Sequence, residues 1–153
     1  MSDVQSVIDS AQRLSNRDQA SLELLIGMRE RAIEKVPALR DNPDFELQYE
    51  RQTMGPVEDL KALGRSILNR WNVELHGIVC GNSTADQSGR KAILDSLNLG
   101  EAAMIAAVAG ALLSMGAAAA LAAAVAPLIV KRFVAPAKDE LCAAWSEAIK
   151  DQG

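Results

Sequence analysis

Chemistry in this chain would have to begin at His76, the single histidine among 153 residues. Cys80 lies one helical turn further on and Glu74 two residues before. A helix here sets the imidazole and the thiol on one face, at i, i+4 spacing. That pair is the skeleton of a Cys–His nucleophile, or of half a metal site. A metal site needs three or four ligands, and no other His or Cys is spaced to join. A thiol–imidazole enzyme also needs donors for a developing oxyanion, and no loop in the sequence offers them. His76 and Cys80 are therefore a weak candidate thiol site, set against the plainer expectation of a helix-face histidine beside a buried thiol. The other cysteine, Cys142, is far along the chain and makes no metal or redox spacing with the first. Both thiols are expected to be reduced and partly buried, as in a cytoplasmic protein.

A second motif is the stretch GNSTADQSGRK from Gly81 to Lys91, in which glycines and a lysine precede a helix. The Walker spacing G-x-x-x-x-G-K-[ST] is absent, and the segment follows a helix where a phosphate loop follows a strand. The carboxylates are scattered over solvated faces, with no Glu-x-x-His pairing of a di-iron bundle. No catalytic, cofactor-binding or metal-ligating residue is expected, and no cofactor. The reading is a protein that is not an enzyme.

The bulk composition narrows the class further. A net charge of −4 with a pI near 5.0 argues against nucleic acid as a partner. Aromatics make up only 3% of a chain that is 49% apolar, so the core must be Ala, Leu, Ile and Val, which suits close-packed helices better than sheets. The N-terminal MSDVQSVIDS has neither the basic region nor the apolar run of a secretory signal.

Helical periodicity accounts for most of the rest. Ser2 with Gln5 reads as a capping box, followed by an apolar face of Val4, Val7, Ile8, Ala11 and Leu14. Ser15 and Asp18 resemble a second capping box, so the helix breaks and restarts. Leu22, Leu25, Ile26, Ala32, Ile33 and Val36 form the next stripe, which Leu24 and Met28 widen. Pro37 ends it. Residues 37 to 56 are irregular. Within them Phe45, Leu47 and Tyr49 alternate with Glu46, Gln48 and Glu50, an extended connection or short helix that lays its aromatics over the bundle. A connection this long is a candidate partner loop, with Phe45, Leu47 and Tyr49 as its contacts. Pro56 opens a long helix with Leu60, Leu63, Ile67, Trp71, Leu75 and Ile78 along one side, closed by Gly81. A short helix follows from about Ser88 to Leu97. Trp71 and Trp145 are expected as core or interface anchors.

The remaining feature is Ala102 to Val130, which carries no charge and is close to half alanine. As one helix it would be long enough to span a bilayer. Gly116 near its middle, however, is placed to end a helix. Met104, Ile105, Val108, Leu112 and Met115 fall in one arc of the helical wheel. Leu121, Val125, Leu128 and Ile129 fall in another. A turn at Gly116 lets both faces meet, and each arm of about 22 Å is then short of a hydrocarbon core of about 30 Å. Pro127 is expected to kink or end the second arm.

Together these features predict a single all-α domain over residues 1–153, a compact bundle of about six to seven helices around a central Ala-rich apolar hairpin. Amphipathic helices occupy 2–36 and 56–97, the hairpin 101–132 and a closing helix 136–150. The function expected of it is protein–protein contact, as an adaptor, a regulator or an oligomer subunit, with a protein partner or its own copies. The nine large hairpin residues are the candidate contact surface. The alternative is a membrane-active effector whose hairpin 102–130 inserts into a bilayer on a trigger. The expected location is the cytoplasm, with membrane association in the alternative.

Overall fold

The computed structural model of the chain describes residues 4–81, 87–136 and 140–152. It is all-α, and among the described residues there is no strand. The helices are α1 (Val4–Leu14), α2 (Gln19–Lys35), α3 (Arg51–Met54), α4 (Val57–Cys80), α5 (Gln87–Ser96), α6 (Glu101–Ser114), α7 (Ala119–Ile129) and α8 (Leu141–Gln152). A 3₁₀ turn at Pro37–Asp41 follows α2, and a π turn at Val130–Val134 extends α7.

α7 is the axis of the bundle. All eleven of its residues are buried, among α1, α2, α4 and α6. An alanine-rich helix can occupy this position because its short side chains let neighbours approach from every side. The hairpin turn is the one expected at Gly116, whose φ of +97° is open to glycine. Gly116 N–H bonds Leu113 C=O, and Ala117 N–H bonds Leu112 C=O, the paired bonds of a Schellman motif. No helix among the described residues is long and apolar enough to cross a membrane. Pro127 does not end α7 at once. The helix runs two residues past it and then widens into the π turn, closed by Ala135 N–H on Val130 C=O.

The break between α1 and α2 is also present, but Asp18 is the cap, accepting a bond from Ser21 N–H at 2.7 Å. Ser15 instead donates back to Gln12 C=O. The capping box expected at Ser2 lies outside the described residues, as do residues 82–86 of the glycine-containing loop and the segment 137–139 that leads into α8.

The tightest contact is between α2 and α4. A Cβ on Gly27 would sit 2.1 Å from Leu60 C=O, and one on Gly64 would sit 2.0 Å from Glu23 C=O. Each helix thus offers a glycine to the other's backbone, four residues from the position that receives the partner's glycine. The crossing corrects the expected inward face of α4. The residues buried there are Leu60, Gly64, Leu68, Trp71, Asn72, Leu75 and Val79, while Leu63, Ile67 and Ile78 sit at the flank. The helix is turned so that Gly64, invisible to a hydrophobic periodicity, faces α2. The end of α2 differs from expectation too, because Val36 is 51% exposed where the chain turns away at Pro37.

Gly27→Ala and Gly64→Ala should each lower the unfolding free energy by about 3 kcal/mol in urea titrations, because a backbone carbonyl cannot yield to the new methyl. Gly110→Ala is the control. Nothing lies within 4 Å of its Cβ position inside α6, and it should stabilise by about 0.5–1 kcal/mol.

Candidate functional site

His76 sits on α4 as expected, but its thiol partner is not there. Cys80 is bonded to Cys142, with Cα atoms 5.5 Å apart. The expectation of two reduced thiols is corrected by topology. α8 returns along α4 and brings two residues that are distant in the chain onto one spot. His76 Nε2 lies 3.0 Å from Ser146 Oγ, and its ring meets Trp145 edge-on at 5.4 Å. Trp145 is wholly buried and donates from Nε1 to Asn72 Oδ1 at 2.7 Å. His76, Cys80, Trp145 and Ser146 therefore join α8 to α4, and in the disulfide state Cys80 offers no thiolate.

The hairpin residues proposed as a contact surface lie inside. Met104, Ile105, Val108, Leu112, Leu121, Val125, Leu128 and Ile129 are buried in one core, and Met115 packs against it. In this fold the two arms face each other and their neighbours, so none of the eight buried side chains is available as a surface.

The connection after α2 is extended from Phe45 to Glu50, without helix or strand. Phe45 and Leu47 are half-buried and Glu46, Gln48 and Glu50 exposed, as the alternation in the sequence predicts, but Tyr49, expected to lie over the bundle with Phe45 and Leu47, is exposed as well. Phe45 lies over the guanidinium of Arg29 at 5.2 Å, and Tyr49 Oη donates to Gly55 C=O at 2.6 Å.

Beneath this connection lies a cavity of about 540 Å³, walled by α1, the α1–α2 turn, α2 and residues 44–47. Ser10, Arg13, Arg17, Arg29 and Asp44 bring its polar chemistry, and Leu14, Leu25, Phe45 and Leu47 its apolar surface. Arg29 is the unusual member, only 4% exposed. Its Nη1 donates to Ala120 C=O at 2.7 Å and its Nη2 to Phe45 C=O at 3.5 Å, and no carboxylate pairs with it among the described residues. Its Nε–H is buried without a partner. Asp44 is engaged elsewhere, accepting from Ser10 Oγ and from Arg13 Nη2.

Burial first, and then repulsion from Arg17, hold the Arg29 pKa down to about 10, below the ordinary arginine range, with Asp44 acting in the opposite direction. A depressed pKa on a cation means that the folded state disfavours the charge. At neutral pH the guanidinium remains charged, so the fold carries a cost of about 3 kcal/mol. That cost is present below about pH 10 and fades as pH rises from there toward the ordinary arginine range.

Periodicity held a signal for this site that a search for catalytic motifs passes over. Arg29 falls on the stripe of Leu22, Leu25 and Ile26 in α2, and Ser10 falls between Val7 and Ala11 in α1. Both are polar residues at positions where the helix is apolar. Comparison with protein-family models, curated proteins and solved structures finds no match to this chain.

Two outcomes test these placements. Replacing Cys80 and Cys142 together by Ser opens a cross-link between residues 62 apart. By the chain-entropy model it should cost about 4 kcal/mol, a fall of about 10 °C in Tm measured by circular dichroism. Arg29→Met keeps the volume and removes the uncompensated charge. Unfolding free energy in urea should stay level or rise by up to about 2 kcal/mol. A loss above about 3 kcal/mol would show that the Arg29 hydrogen bonds hold the fold together.

Proposed function

We propose that this chain is a non-enzymatic helical protein that works by protein–protein contact, as an adaptor, a regulator or the subunit of an oligomer, and that its contact element is the connection Phe45–Glu50. The observation that carries this reading is the state of that backbone. The segment is extended on the surface, and from Phe45 to Tyr49 it makes no backbone–backbone hydrogen bond among the described residues. Extended backbone with unpaired N–H and C=O groups is a template for a second chain, while alternate outward side chains supply selectivity. Here Glu46, Gln48 and Glu50 are exposed and favour a partner strand that carries basic residues.

The inward side chains support the same role. Phe45 and Leu47 fasten the segment to the bundle, so a partner would meet a positioned edge and pay less to order it. The Cys80–Cys142 bond adds a setting, because disulfides persist in oxidising compartments. We therefore propose an oxidising location, since the cytoplasmic expectation rested on reduced thiols.

A photo-crosslinking residue at Gln48 tests this in the producing organism, with Val73 as control, which is 51% exposed on the middle of α4. Position 48 should yield one adduct of defined mass, either two copies of the chain or the chain with one partner, and position 73 should yield none. Equal labelling at both positions, or no adduct at 48 together with a monomer in sedimentation velocity, would overturn the reading.

A further inference from the structure

We propose that the cavity under the 44–47 connection binds a small organic anion, one headed by a carboxylate or phosphate group that docks on Arg29 and Arg17. This goes beyond protein contact and stands on different observations. Arg29 is buried to more than nine-tenths, lines the cavity and has an Nε–H with no acceptor. A guanidinium offers five donors in a planar fork that matches the two oxygens of a carboxylate or phosphate. In Arg29 each terminal nitrogen gives one N–H to a backbone carbonyl and keeps a second, and the buried Nε–H has no acceptor, so three of the five donors are uncommitted. Arg17 brings a second cation and makes no ion pair among the described residues.

The local charge balance agrees. Three arginines, Arg13, Arg17 and Arg29, face two carboxylates, Asp44 and Glu46, around one cavity. Asp44 already plays the anion's part for Arg13 and Ser10, from the same connection that roofs the site. It acts as a tethered competitor, and a ligand that draws Arg13 away from it would loosen the roof. Leu14, Leu25 and Leu47 give the ligand's body an apolar wall, and a volume of about 540 Å³ suits a small organic molecule better than a bare ion.

The test is NMR titration of the full chain, its disulfide intact, with benzoate, phenyl phosphate, inorganic phosphate and uncharged benzamide at constant ionic strength. The Arg29 Nε–H resonance and the amides of residues 44–47 report binding. Benzoate or phenyl phosphate should shift both sets, and which one binds tighter distinguishes a carboxylate head from a phosphate. Inorganic phosphate should bind more weakly than the better of the two, and benzamide should shift neither set. Arg29→Met should weaken binding about tenfold or more, as expected for loss of a charge-assisted bond. Arg29→Lys, which keeps the charge but loses the fork, should fall between. Asp44→Asn should tighten binding, having lost the competing charge. No shift with any anion, equal shifts with benzamide, or unchanged affinity in either Arg29→Met or Asp44→Asn would overturn the proposal.

Discussion

The structure depends on two helix backbones brought close enough to touch. At Gly27 and Gly64 neither α2 nor α4 has room for a methyl group, and the two contacts are reciprocal. Closeness fixes rotation as well as distance, since only one face of each helix carries the glycine. With α2 locked to α4 through Gly27, a residue two positions on points about 200° away around the helix. That residue is Arg29, and it reaches the start of α7 at Ala120. A packing constraint on one side of α2 thus aims a charge into the interior on the other side. Glu23, on the glycine face, is buried as well, but it is answered by Arg65 at 3.4 Å and Gln19 at 3.2 Å. Arg29 has no such answer.

This contrast organises the functional reading. A fold that satisfies Glu23 with two partners and leaves Arg29 with carbonyls and a ring has accepted a cost at one place. Such costs gather at sites that work, because stability and activity make different demands on the same residues. The alanine-rich hairpin sets the opposite example. It is the most unusual stretch in the sequence and the most ordinary part of the structure, a well-packed core. The function proposed for the chain rests on the side of α2 and α1 away from α4, where an extended connection crosses an arginine-lined cavity.

Much of the fold was legible in the residues. The hairpin turn at Gly116, the break before Asp18, the long helix after Pro56 and the inward and outward alternation around Phe45 all follow from local chemistry that the tertiary structure does not oppose. The inward face of α4 was not legible, because a glycine adds nothing to a hydrophobic stripe yet decides which side approaches most closely. The disulfide was not legible either, since pairing Cys80 with Cys142 depends on where α8 packs and not on their spacing. The cavity falls between these cases. Ser10 and Arg29 each interrupt an apolar stripe, which is visible in the sequence, but only the packing of α1 beside α2 under residues 44–47 brings them to one place.

The central claim is a rigid frame of α2 and α4 that holds a buried charge beneath a lightly fastened connection. Native-state hydrogen exchange measures both halves at once, residue by residue. The amides from Leu22 to Arg29 and from Leu68 to Leu75 should exchange only through global unfolding, and those from Glu46 to Gln48 through openings that cost almost nothing. Exchange of the α2 amides through local openings, or protection of residues 46–48 equal to that of the core, would contradict the account.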